Sequence, residues 1–348
     1  MTPPSGDGSR KRYSQTLLIL LINLLCLACL IWVLRGANLH LLRHEVAHLD
    51  WRWVAVAMVS GVLAYGWQAW RWVLILAPVK RVSFFHSLRA IYVGLFASGV
   101  FPFHAGELIR CFLQARWNDI PLSVTVASAT IERIFDGIWL IACLFVAIRL
   151  VPRMPGYIVD GGYFLGFILL VCIAFLAVAM YWKQQTLDAL LRARWLNWVH
   201  ILIKDLHLIG HSRYLYFAFA VSLPYILMQA VPIYAMLQAY RPLSDLSLLV
   251  AFASMVVIRL GGVVPQAPGN LGAFNAFAVI SLMLFHVPKA LAKRFSIVLF
   301  SAVTLPLLVV GFFALAITGL KMDELHRQAK DTRNAPPAPQ PAAQSLDI

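Results

Sequence analysis

Gly99-Val-Phe-Pro-Phe-His-Ala-Gly-Glu-Leu-Ile-Arg110 and Arg259-Leu-Gly-Gly-Val-Val-Pro-Gln-Ala-Pro-Gly-Asn-Leu-Gly272 each set proline, glycine and charge inside otherwise apolar sequence. In hydrocarbon, an unpaired backbone N–H or C=O costs several kcal/mol. Broken backbone therefore persists there only inside protein or beside a water-filled cavity. Two such breaks, one in each half of a polytopic chain, point to a transport site.

Composition sets the class around these breaks. The chain is 61% hydrophobic and only 13% charged, with mean hydropathy +0.77. Soluble domains carry about 25% charged residues. Several apolar runs approach the roughly 20 residues that cross a bilayer. These features predict an all-α, polytopic membrane bundle in one domain over residues 15–320, with polar, disordered termini at 1–14 and 321–348. The net charge of +14 lies in short loops rather than on one soluble face. It reads as a set of orientation signals under the positive-inside rule and excludes nucleic acid as a partner. Cys26, Cys29, Cys111, Cys143 and Cys172 all fall in or beside apolar runs and read as small buried hydrophobes.

The pattern predicts full spans near 15–34, 51–77, 121–149, 161–182, 214–240 and 294–320. Arg10-Lys-Arg12 before the first places the N-terminus in the cytoplasm, and the long apolar run without a cleavage site makes it an uncleaved span. Trp51, Trp53, Trp67, Trp70 and Trp72 group near the ends of the second span, as an interfacial belt does. Lys80, Arg81 and Arg89 mark a cytoplasmic loop. Residues 90–116 form a re-entrant hairpin opening to the cytoplasm, because Pro102 removes a helix donor and Gly99 and Gly106 permit close turns. Residues 183–213 suit a helix in the headgroup region. Pro224 and Pro232 kink the fifth span. Residues 246–286 hold the second break and either re-enter or cross fully, and both remain open at this point. An inverted repeat follows if they re-enter, with both termini cytoplasmic at the inner membrane.

Glu107, Arg110, Glu132, Arg133, Asp136 and Arg259 are charges inside apolar sequence. An ionised side chain at the bilayer centre costs roughly 2.5–3.5 kcal/mol on insertion scales, so these groups face inward and pair. Glu132 and Asp136 share a helix face and repel unless a cation lies between them. Arg110 or Arg259 supplies it, while Arg133 points about 100° away from Glu132. Pairing could simply pin the hairpins. Alternatively the arginines bind an anionic headgroup, since the planar guanidinium fork matches phosphate oxygens. Half-helix N-termini at the breaks would add donors. Gly269 and Gly272 allow close backbone approach.

At these residues the chain resembles the transmembrane region of lysylphosphatidylglycerol synthases and the stand-alone flippase-like proteins related to it. The matching pieces are Pro102-x-x-x-Gly106-Glu107-x-x-Arg110, Glu132-Arg133-x-x-Asp136 and Pro265-x-x-Pro268-Gly269-x-x-Gly272, across roughly residues 15–320. The resemblance implies a protein that moves or handles lipid headgroups, with these residues and Arg259 at the substrate site. The lipid could be a phospholipid, a hopanoid or a polyprenyl-linked species. The implied partners are membrane lipid and, in the alternative of a non-transporting scaffold, a lipid-biosynthetic enzyme. No aminoacyltransferase domain follows residue 320, so the chain is not expected to be an enzyme making the aminoacyl lipid. Asn275 stands where the family commonly carries an acidic residue.

A rival motif is His44-Glu-Val-Ala-His48. On a helix it sets two histidines on one face beside a glutamate, an arrangement that serves zinc and a general base in metalloproteases. His40 extends the face. The segment is a short loop between spans, Asp50 interrupts its flank, and a catalytic zinc needs a third protein ligand. The expected reading is an interfacial helix with titratable histidines, and no cofactor. No phosphate-binding Gly-x-x-x-x-Gly-Lys loop occurs, so any drive would be an ion gradient, a lipid gradient or a partner.

Overall fold

The computed structural model describes residues 44–100, 105–150, 212–262 and 272–318, with scattered positions between 156 and 174. The expected first span, most of the span near 161–182, the headgroup helix up to residue 211, both polar termini and Cys26, Cys29 and Cys172 lie outside the described residues. Pro102, Pro265, Pro268 and Gly269 lie outside them too. Within them the secondary structure is helical, with no strand.

The chain order is α1 (Trp51–Leu76), α2 (Phe84–Val100), α3 (Ala105–Asn118), α4 (Leu122–Leu150), α5 (Arg213–Met228), α6 (Ala230–Ala239), α7 (Leu248–Gly261), α8 (Ala273–Met283) and α9 (Lys289–Thr318). Asp50 caps α1 by accepting from the Arg52 N–H at 3.0 Å. The expected single span near 214–240 is interrupted at Gln229, between α5 and α6. Pro232 explains the break. It cannot donate to the carbonyl four residues back, and its ring crowds that carbonyl.

Contacts between chain segments give the helix directions. The Asp50 N–H donates to the Ala239 carbonyl at 3.1 Å, and Arg294 Nε donates to Glu45 at 2.8 and 3.0 Å. The start of α1, the end of α6 and the start of α9 therefore share one end of the bundle. Lys80 and Asp119, 3.9 Å apart, mark the opposite end, where α1 stops and α4 begins. The α2–α3 hairpin has both feet there. The α7–α8 hairpin has both feet at the Glu45 end, so the second broken element returns rather than crosses the bundle. The two hairpins enter from opposite ends.

Two apolar layers pack the interior. One joins Leu140, Leu144, Met236, Val256, Val279, Phe295 and Leu299. The other joins Trp72, Ile91, Val93, Leu113, Ala127, Ile131 and Leu315. On α4, Glu132 and Asp136 lie between the residues of the two layers. Outside, Val59, Leu63, Leu305, Val309, Phe312 and Phe313 are exposed, while Arg71, Gln114, Glu132 and Ser222 are fully buried. Polar groups inside and large apolar groups outside is the distribution that a lipid solvent selects. Among the described residues, the stretches Arg213–Ala239 and Lys289–Thr318 are long and apolar enough to cross a membrane.

Candidate functional site

The site is a charge network in the gap between the two apolar layers. The four-residue spacing of Glu132 and Asp136 turns both carboxylates toward α1. Arg71 of α1 lies between them. Its Nη1 donates to Asp136 Oδ1 at 2.5 Å and to Ser222 Oγ at 3.2 Å, and its Nη2 donates to Glu132 Oε1 at 3.3 Å. The Tyr225 ring of α5 lies 4.8 Å from the guanidinium carbon. Removing charges from water costs several kcal/mol per ion, and only close, multiply bonded pairing offsets it. Arg71 supplies that pairing to two carboxylates at once.

Arg110 of α3 is held differently. Its Nη1 lies 2.8 Å from Glu132 Oε2, and its guanidinium rests 4.9 Å over Trp72. Nη1 and Glu132 Oε2 satisfy each other through this ion pair, while Nε and Nη2 are buried with no hydrogen-bond partner. Arg110 is thus a buried cation with unused donors. Arg133 pairs with Glu107 at 2.7 Å and approaches Asp136 at 3.6 Å. Arg259, near the end of α7, lies 5.6 Å over the same Tyr225 ring, and its Nη2 is buried with no hydrogen-bond partner. It forms no ion pair with another described residue. Four guanidinium groups (Arg71, Arg110, Arg133, Arg259) meet three carboxylates (Glu107, Glu132, Asp136), leaving one positive charge.

The backbone holds the first hairpin close to this network. A Cβ on Gly94 would come within 2.7 Å of the Gly106 carbonyl and 2.9 Å of Arg110 Cβ, and one on Gly106 would strike the Gly94 carbonyl and Ser98 Oγ. Glycine at both positions lets α3 lie against α2 and fixes where Arg110 starts. In the second hairpin, Gly272 opens α8 with φ 89°, a left-handed conformation that glycine takes without penalty. Asn275, one turn in, is buried with Oδ1 unpartnered.

The structure brings Glu107, Arg110, Glu132, Arg133 and Asp136 into one network, with Arg259 against its edge. Arg110 does pair with Glu132, but the cation that bridges Glu132 and Asp136 is Arg71, which the residue pattern did not single out, and Arg259 sits on a ring. The available signal was Arg71 itself, a charged residue inside an apolar 26-residue helix, five residues before its end. The His44-to-His48 segment is elsewhere, at the end of the bundle. Glu45 is taken up by Arg294 and by the Tyr240 hydroxyl, whose phenol is pushed up by burial first and by Glu45 second. His48 Nδ1 contacts the His44 carbonyl at 2.7 Å. Among the described residues no group of three His, Cys, Asp or Glu side chains could hold a metal ion.

No curated protein and no solved structure matches the chain. A family model does, the lysylphosphatidylglycerol synthase TM region, over residues 16–311. Its span includes both hairpins and the whole charge network, and the chain belongs to that family.

Proposed function

We propose that this chain is an integral inner-membrane protein that binds an anionic or lipid-linked headgroup between its two hairpins and passes it between leaflets. In this reading α2–α3 and α7–α8 are re-entrant, flanked by six full spans, and both termini are cytoplasmic. Lys80, Arg81 and Arg89 mark the cytoplasmic end, where the first hairpin has its feet. The lipid is a phospholipid, a hopanoid or a polyprenyl-type species.

One observation carries the reading. Arg110 is buried beside Glu132, with Nη1 taken up by the 2.8 Å ion pair and with Nε and Nη2 left without a hydrogen-bond partner. A phosphate reaching Arg110 could take up those donors in the bidentate manner that suits a guanidinium. Arg71 would keep Glu132 neutralised meanwhile, so the exchange strands no carboxylate. The net positive charge of the network favours an anion over a cation, and Arg259 adds a second free donor from the opposite hairpin.

Mass spectrometry of lipids co-purifying with wild type and Arg110→Ala tests this. One lipid class enriched in wild type and lost in the variant is the expected result. Identical bulk lipid in both would remove Arg110 from substrate binding and favour a non-transporting scaffold for a lipid-modifying enzyme.

A further inference from the structure

Most of the charge network is sealed, but one pair is not. The Glu107 and Arg133 side chains are 40% and 46% exposed, against 0% for Arg71 and Glu132. Arg133 is the twelfth residue of the 29-residue α4. It stands about 17 Å from the start of that helix at 1.5 Å per residue. Glu107 is in the first turn of α3, at the hairpin's inner tip. An open ion pair therefore stands near mid-depth, where a hydrocarbon core of about 30 Å would otherwise reach it. Lipid tails do not tolerate a half-exposed charge pair there, and water or a polar headgroup does.

The pair also connects inward. Arg133 Nη1 approaches Asp136 Oδ2 at 3.6 Å, and that oxygen is buried without a hydrogen bond. Asp136 in turn accepts from Arg71 through its other oxygen. Arg133 thus reaches from the open side to the sealed network, held outside by Glu107 and inside by Asp136.

We infer that the Glu107–Arg133 pair is a hydrated side door to the charge network. An anionic phosphate replaces the Glu107 carboxylate on Arg133 and from there reaches Arg110, so Glu107 is a competitor that keeps the door shut when empty. This rests on the functional reading above and adds a route and a division of labour. The same phosphate chemistry is offered by a lipid headgroup and by free phosphate; the inference commits to the lipid.

The test is opposite signs. Purified full-length protein is titrated with short-chain phosphatidic acid, with inorganic phosphate and short-chain phosphatidylcholine as separate arms. Glu107→Gln and Arg133→Gln both break the half-exposed pair, and Arg133→Gln also loses the 3.6 Å approach to Asp136. A merely structural pair therefore predicts effects of one sign, larger for Arg133→Gln. The door predicts several-fold tighter phosphatidic acid binding for Glu107→Gln and roughly tenfold weaker binding for Arg133→Gln. Effects of the same sign in both variants, or none in either, overturn it. Equal affinity for inorganic phosphate overturns the lipid as the ligand.

Glu107→Cys gives an independent check in the folded protein. A charged, water-soluble thiol reagent should label it beyond the wild-type background, and labelling no greater than wild type would put the pair against lipid tails. Arg110→Ala separates the two levels. If it abolishes phosphatidic acid binding while Glu107→Gln and Arg133→Gln shift binding in the same direction, the binding site stands and the door fails. If Arg110→Ala binds normally, the functional reading itself fails.

Discussion

The α2–α3 hairpin closes backbone on backbone, Gly94 against Gly106, whereas α7–α8 closes backbone on ring, with a Cβ on Gly261 meeting the Phe277 side chain. Their charges differ in the same sense. Arg110 of the first hairpin lies beside a carboxylate, and Arg259 of the second lies over an aromatic ring. Both arginines keep unused donors, but the surroundings of the first are fixed by backbone and paired charge, while those of the second can yield. A moving headgroup is best served by one rigid and one compliant wall.

The largest effect should come from the residue linked to both walls, to Arg110 through Glu132 and to Arg259 through Tyr225. Arg71→Ala leaves Glu132 and Asp136 without their common partner, and breaking a buried pair costs about 3–5 kcal/mol. Unfolding of the detergent-solubilised protein should show a collapse in stability. A variant as stable as wild type would mean that Arg110 and Arg259 can replace it, and the contrast between the hairpins would dissolve.

Next come the glycines. Gly106→Ala drives a methyl into the Gly94 carbonyl, which belongs to a helix and has nowhere to go. Overpacking of this kind costs about 1–3 kcal/mol. Gly261→Ala meets Phe277 at Cγ as well as Cδ2 and Cε2, so the side chain must shift as a whole; being side chain rather than helix backbone, it should yield at the smaller cost of the two. Equal losses in thermal unfolding would show the two closures to be equally stiff.

Arg259→Ala removes a ring-seated cation and should cost only about 1–2 kcal/mol of stability. Its effect on bound anionic lipid should be larger than its effect on unfolding. Lost stability with unchanged lipid content would make Arg259 structural and break the two-wall description. The smallest effect on lipid binding belongs to the Glu45–Arg294 contact at the end of the bundle. The pair is only 13% and 18% exposed and Glu45 also accepts from Tyr240, so a double-mutant cycle of Glu45→Gln with Arg294→Gln should give a coupling of about 1–3 kcal/mol. Glu45→Gln should leave lipid binding unchanged, since Glu45 touches neither hairpin's charge.

Much of this architecture was legible in the residues. Gly99, Gly106 and the Pro102 that lies between α2 and α3 in sequence announced an interruption. The four-residue spacing of Glu132 and Asp136 announced a cation. The sequence could not name that cation. Arg71 lies 61 residues from Glu132, and helical periodicity is silent about which distant helix will pack alongside. Its tryptophan neighbours drew the reading toward an interfacial belt, although Trp72 is buried at the network. The His44-to-His48 spacing is a helical pattern whose glutamate is taken up by Arg294, 249 residues away, a contact no local pattern announces.

That separation between Arg71 and its carboxylates has a consequence for biosynthesis. Synthesis proceeds at about 5–20 residues per second, so α1 is made roughly 3–12 seconds before Glu132 exists. During that interval α1 carries an arginine with no counter-ion, and hydrocarbon is the wrong place to wait. The helix must be kept at a protein or water boundary of the insertion machinery until α4 is synthesised. Release of α1 into lipid is thereby timed by the arrival of its own partner.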